Sequence, residues 1–204
     1  SDLKKKLVKI YKKKVLLLPV PHTHEKTLKN KKIKSEKVNL FFPGPIREEK
    51  FGDNFYNFLK KNNNSLFKIF ISKDFSWKTN FFFDIKYLNN NLDRKDYLKY
   101  FINSQIVILP YSYRLYKDRT SGIFIEGIVM RKIVLVTNGT WMAKELKKFK
   151  LNELIVNNWK YYLLEENINK LFSHEVKKKI DKMKNYYVKI HNKNNYTNLI
   201  KTNL

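Results

Sequence analysis

Apolar and polar positions along this chain alternate between two rhythms. Ile106–Leu109 and Ile133–Val136 are β-branched or leucine throughout, with no polar residue interleaved. That is the pattern of strands buried on both faces of a parallel sheet. Val38–Phe42 is a further strand, broken by Pro43-Gly44-Pro45, and Leu66–Ile71, Phe81–Ile85 and the segment around Leu154–Val156 read the same way. Elsewhere apolar residues return at helical spacing. Phe51, Phe55, Phe58 and Leu59 predict a helix over roughly residues 49–61, Tyr97, Tyr100 and Phe101 another over Asp93–Asn103, and a third is expected near Trp141–Lys148. Between the runs at 106 and 133 lie a tyrosine-rich polar loop and a helical segment opening at Thr120-Ser121-Gly122, where hydroxyls can cap free N–H groups. Regular β/α alternation predicts an α/β fold: a doubly wound, Rossmann-like parallel sheet of about six strands with helices on both faces.

The two ends follow other patterns. Leu3, Leu7 and Ile10 share a helical face among lysines, so the start is a short basic helix or a linker; Val15–Leu18 reads as a brief strand and Lys26–Lys37 as a surface loop. Near the other end, Val176, Ile180, Met183, Tyr187 and Ile190 are spaced 4, 3, 4, 3, an apolar stripe on a basic helix. That stripe suits docking on this domain, on another domain or at a membrane surface. The last dozen residues are polar and expected to fray. Three regions result: residues 1–37 as linker and short strand, 38–160 as the α/β domain, and 161–204 as a helical, amphipathic extension.

Composition then narrows the class. Hydrophobic residues make up 43% and aromatics 15%, enough for a packed core rather than a disordered chain. The formal net charge of +25 has two readings. One is attraction to nucleic acid, an anionic membrane surface or phosphorylated ligands; the other is coding bias, since Lys, Asn, Ile, Phe and Tyr are all abundant. The absence of cysteine excludes a disulfide scaffold and thiolate metal sites, and suits a reducing cytoplasm. No run approaches the roughly 20 apolar residues of a membrane span. His22 and His24 have no companion ligands nearby in sequence, so no metal is expected.

In a doubly wound sheet, ligands sit beyond the carboxyl ends of the strands where strand order reverses. For the order 3-2-1-4-5-6, that point lies between the strand ending at Phe42 and the one ending at Leu109. One following loop carries Gly44, Arg47 and Lys50; the other carries Asp118, Arg119, Thr120, Ser121 and Gly122. Cations facing a capped helix start across one crevice suit a diphosphate. Glu126, one turn into that helix, could accept hydrogen bonds from ribose hydroxyls. Neither GxGxxG nor GxxxxGK[ST] occurs in these loops, which argues against dinucleotide and P-loop sites.

The segments FFPGPIREEKFGD and RTSGIFIEGIVMRKIVLVTNGTW resemble the C-terminal, donor-binding domain of retaining glycosyltransferases of the GT-B fold. In that group a strand ends in glycine and a lysine follows six residues on, here Gly44 and Lys50; two acidic residues are separated by seven others, here Asp118 and Glu126. The resemblance implies that Gly44, Arg47, Lys50, Thr120, Ser121 and Gly122 bind the donor diphosphate. It implies that Glu126 holds the ribose, that Asp118 approaches the sugar, and that the base lies near Tyr87-Leu88. Asp118, Lys50 and Arg47 would be the catalytic set. There are departures: Pro45 stands where a basic residue usually follows the glycine, and Arg131-Lys132-Ile133 replaces the usual Gly-Lys-Pro. The implied substrates are a nucleoside diphosphate sugar and a glycan or lipid-linked acceptor, with no cofactor. An N-terminal acceptor-binding domain is expected beyond this chain. The implied setting is the cytoplasm, with peripheral contact at the inner face of a membrane left open. The rivals are a basic nucleic-acid-binding protein, though the lysines are not gathered into one module, and a non-catalytic domain that keeps the half-fold alone.

Overall fold

The computed structural model describes residues 2–12, 18–20, 36–45, 47, 50, 53–62, 64–74 and 84–202. Its centre is a parallel sheet of β1 (Val38–Phe41), β2 (Phe67–Ser72), β3 (Asp84–Leu88), β4 (Ile106–Leu109), β5 (Ile133–Thr137) and β6 (Ile155–Val156), in the order β3-β2-β1-β4-β5-β6. β1 pairs with β2 through Val38 to Phe41 and with β4 through Leu40 and Phe41, so the chain reverses direction across the sheet between β1 and β4. The strand order is the expected doubly wound one. β4 and β5 are the driest strands because both their faces are covered; Val107, Leu109, Val134, Leu135 and Val136 expose nothing.

Neighbouring residues of a strand point to opposite faces, and Phe41 and Phe42 show what that does here. Phe41 packs against Tyr97 and Phe101 of α3 (Arg94–Asn103), with ring centroids 5.9 Å from each. Phe42 stacks at 5.2 Å on Phe55 of α2 (Asp53–Lys61), whose Phe58 meets Trp159 edge-on at 5.3 Å. One dipeptide therefore nails a helix to each face of the sheet. Asn62, just past α2, is buried and bridges elements: its amide donates to the carbonyls of Phe58 and Tyr162, and its oxygen accepts from the Leu164 N–H. It ties α2 to the start of α7 (Leu164–Leu171).

After β4 come a four-residue helix α4 (Tyr113–Tyr116), inside the stretch read as loop, and then α5 (Gly122–Val129). A Cβ built at Gly127 would lie 2.7 Å from Val134 Cγ2, so α5 rests directly on β5. α6 (Trp141–Lys148) follows β5, with the predicted bounds. α8 (His174–Ile190) lays its stripe on α5: Val176, Ile180, Met183 and Tyr187 are buried, and Tyr187 meets Phe124 at 6.3 Å. The stripe thus docks within this chain.

Several expected boundaries move. The third strand is Asp84–Leu88, later than the predicted Phe81–Ile85, of which 81–83 lie outside the described residues. It is an edge strand in which Lys86 and Tyr87 are exposed and Asp84 and Ile85 half-buried, so its signal is weaker than that of the preceding phenylalanines. α2 is described from Asp53, and residues 48–49 and 51–52, on which its predicted start falls, lie outside the described residues. The chain's start is a helix, α1 (Asp2–Tyr11). The strand expected at Val15–Leu18, His22, His24 and most of the 26–37 loop lie outside the described residues, apart from Leu18, which is in no strand. The tail is not frayed: α9 (Lys193–Lys201) forms there. Its asparagines supply the reason. Asn192 caps it by accepting from the Asn195 N–H, and the Asn195 amide donates to the carbonyls of Lys189 and Ile190 that end α8.

Three described helices end on a non-glycine residue in the left-handed conformation glycine favours, the first being α1, which ends on Lys12 with φ 50°. Arg131 has φ 58° and Lys150 has φ 57°. Arg131 is held by a fork of hydrogen bonds to Asp181 on α8. Lys150 is exposed, and its side chain has no such anchor. A non-glycine residue in this region costs about 1–2 kcal/mol, and glycine is the usual occupant of this position after a helix. Lys150→Gly is therefore expected to raise the unfolding free energy by about 1 kcal/mol, read as a higher denaturation midpoint with unchanged slope.

Candidate functional site

At the carboxyl ends of β1 and β4, two loops meet on Tyr111. Gly44 follows β1 with φ +89°, a conformation that L side chains rarely adopt, and a Cβ built there would lie 3.6 Å from Lys50 Nζ. Lys50 Nζ in turn sits 5.6 Å from the centre of the Tyr111 ring, which follows β4. The Tyr111 hydroxyl lies beside the Ser121 side chain; burial pushes that hydroxyl's pKa well up, Tyr116 adds to the rise and Ser121 opposes it. Ser121 Oγ accepts from the Phe124 N–H, capping α5. Lys50 and Ser121, far apart in sequence, thus share one aromatic wall.

The start of α5 is open in front. Thr120 and Gly122 are exposed, and a Cβ at Gly122 would meet nothing within 4 Å. Ser121 is buried, its oxygen committed to the cap. Arg119 stacks over Tyr116, 5.6 Å from the ring centre, and the rings of Tyr111 and Tyr116 lie 4.5 Å apart. A cation therefore flanks each tyrosine of the pair. Arg47 is exposed, and its carbonyl accepts from the Lys50 N–H at 2.8 Å.

Beside Gly44 opens a cavity of about 190 Å³, bordered by Phe42, Ser72, Leu88, Asn89 and Tyr97 among others. It spans the ends of β1, β2 and β3, and it brings together Gly44 and Leu88, two residues singled out from the sequence. Tyr87 points away from it and is half exposed. Behind Tyr97 lies Glu126. It is 8% exposed, and its two oxygens accept from Arg94 Nη2 at 2.6 Å and from Tyr97 Oη at 2.8 Å. Burial, reinforced by the neighbouring Glu126 carboxylate, pushes the Tyr97 hydroxyl far above its ordinary pKa, so it remains a donor. Tyr97 is thus more than the packing ring its helical spacing predicts, and nothing in the sequence marks Arg94. These partners lie 29 and 32 residues from Glu126, and no local pattern signals such pairs.

The acidic pair diverges. Glu126 turns to α3, whereas Asp118 turns to α6, with Lys144 Nζ 3.4 Å from its Oδ1. Asp118 and Thr120 border a second, larger cavity. Within the loop 118–122, Asp118 and Thr120 thus border the larger cavity, whereas Ser121 lies beside Tyr111. Lys132, in the position where the sequence departs from the usual pattern, is structural: its Nζ donates to the carbonyls of Ile102 and Ser104, each at 2.7 Å, closing the end of α3. Burial pulls its pKa down to about 8. Among the described residues, no group of three or more His, Asp or Glu side chains gathers to hold a metal, and no helix is long and apolar enough to cross a membrane.

No protein-family model matches the sequence, and no curated protein sequence is significantly similar to it. Solved structures do match its shape. WaaG, a glycosyltransferase involved in lipopolysaccharide biosynthesis, superposes over 97% of this chain at a TM-score of 0.60 and 14% identity. AviGT4, a glycosyltransferase involved in avilamycin A biosynthesis, does so over 93% at 0.59 and 11% identity. The trehalose-6-phosphate synthase OtsA covers 82% of the chain at 0.58 and 14% identity. The chain spans only 58%, 56% and 43% of those proteins, about half of each. Its sheet order and these superpositions agree: this chain has the fold of a GT-B glycosyltransferase-like domain.

Proposed function

We propose that this chain is the donor-binding half of a glycosyltransferase. It would hold a nucleoside diphosphate sugar whose glycosyl group passes, with retention of configuration, to a glycan or lipid-linked acceptor. The observation that carries this reading is the contact chain from Gly44 through Lys50 and Tyr111 to Ser121, which sets a cation beside an open helix start. A diphosphate lying there meets Lys50 and Arg47 on one side and the free N–H groups around Thr120 and Gly122 on the other, with the helix dipole favouring its charge. The same groups would oppose the negative charge that grows on the leaving diphosphate.

Toward the smaller cavity, the ribose and base would follow, the base near Leu88. Glu126 suits the ribose even though it is already bonded. A carboxylate offers about four acceptor positions, and Arg94 and Tyr97 occupy one on each oxygen. A cavity of about 190 Å³ falls below the roughly 300–1,000 Å³ of pockets that enclose whole ligands, so it would take the nucleoside end and leave the sugar in the open slot. Asp118 would approach that sugar. No metal or cofactor is proposed. An acceptor-binding domain outside this chain would complete the enzyme, in a cytoplasmic setting.

Calorimetric titration of UDP and GDP at two salt concentrations tests this. We expect one of them to bind saturably at one site, with modest loss at higher salt. The nucleic-acid reading expects instead tight oligonucleotide binding that falls steeply with salt, together with no saturation by either nucleotide. That second result would sink the donor-site reading.

A further inference from the structure

The second cavity is the larger, at about 360 Å³, inside the range of small-molecule sites. Its walls are α6, the end of α8, α9 and the segment Leu18-Pro19. Three aromatic rings line it, from Trp141, Tyr186 and Tyr187, with Ile190 and Leu199 beside them. The chain as a whole is strongly basic, yet this lining is balanced: besides His191, whose Nδ1 accepts from the Val20 N–H, it carries two acids, Asp118 and Glu145, and two lysines, Lys144 and Lys148. They satisfy one another, Asp118 with Lys144, and Glu145 with Lys148 and with the Tyr187 hydroxyl at 3.0 Å. An ionic ligand would have to break such a pair to be held, whereas an uncharged apolar group only displaces water.

Asp118 and Thr120 stand on the border of this cavity, and the next residue, Ser121, belongs to the Lys50–Tyr111 cluster. A molecule with its apolar end among the rings can therefore bring a polar head to Asp118 and Thr120, beside the proposed donor slot. We infer that this cavity binds the apolar end of a neutral amphiphile, the alkyl or aromatic aglycone of the acceptor. Calling the amphiphile an acceptor rests on the transferase reading; the preference for a neutral amphiphile rests on the cavity alone.

The probe is n-octyl β-D-glucoside, kept below its micelle concentration and titrated calorimetrically into the full chain, with methyl β-D-glucoside as the tail-less control and UDP titrated separately. Octyl glucoside should saturate one site. Methyl glucoside should bind at least tenfold more weakly, since each buried CH₂ contributes about 0.8 kcal/mol. Leu199→Glu and Tyr186→Ala, at half-buried and exposed positions, should each weaken octyl glucoside about tenfold or more and leave UDP binding unchanged. Absence of saturable octyl glucoside binding, or equal binding to Leu199→Glu and the parent chain, overturns the inference. Octyl glucoside binding without any UDP binding supports the amphiphile site and overturns its assignment to an acceptor.

Discussion

Phe124→Ala is expected to lower the unfolding free energy by about 3–5 kcal/mol and the melting temperature by on the order of 10 °C. Phe124 exposes nothing, and its ring meets Trp141 of α6 at 5.7 Å and Tyr187 of α8 at 6.3 Å. It is therefore the point where α5, α6 and α8 are held together, and the hole left by alanine has rigid rings on two sides. Collapse of the site is difficult because Gly127 already brings α5 onto β5 with no spare room. Denaturant titration at constant slope measures the loss. A cost under about 1.5 kcal/mol, the size of a volume-conserving swap, would mean that α8 does not pack on α5 as described. The change should also loosen the amphiphile cavity, because Trp141 and Tyr187 are shared.

Legibility in the sequence followed how local each cause is. β4 and β5 were readable because a strand buried on both faces needs an unbroken apolar run, and such a run names itself. The edge strand at Asp84–Leu88 runs past its predicted end at Ile85 for the complementary reason: half of it faces water, and Lys68 and Lys37 pair with Asp84 from neighbouring segments. α9 was hidden because asparagine reads as loop, whereas here Asn192 and Asn195 close the turn between two helices. Gly44 and Lys50 were legible as a short-range spacing; β/α alternation predicts the parallel sheet, and the order β3-β2-β1-β4-β5-β6, which the sequence leaves as a condition, is the one that sets β1 beside β4. The direction of the acidic side chains was not legible. Spacing placed Asp118 and Glu126 around one helix start, but Lys144 draws one outward while Arg94 and Tyr97 draw the other inward. Those partners come from separate helices, and only the folded chain brings them together.

Lys50→Ala is expected to weaken UDP or GDP binding by about ten- to a hundredfold. A hydrogen bond to a charged group contributes about 1.5–3 kcal/mol, and each 1.4 kcal/mol is a factor of about ten in affinity. The lysine is well placed to deliver it, because its Nζ lies beside the glycine that ends β1, 3.6 Å from a Cβ built there, and 5.6 Å from the centre of the Tyr111 ring. Bulk charge cannot mimic the effect: Lys178, exposed on α8, removes the same charge when changed to alanine and should alter binding less than twofold. The nucleoside monophosphate supplies a second discriminator. If Lys50 grips the outer phosphate, UMP already lacks that contact, and Lys50→Ala should barely change its affinity. Gly44→Ala should fall between the two, since it strains a backbone at φ +89° without deleting the charge. Equal losses for Lys50→Ala and Lys178→Ala would assign the attraction to net charge, and the slot between β1 and β4 would lose its claim to a pyrophosphate.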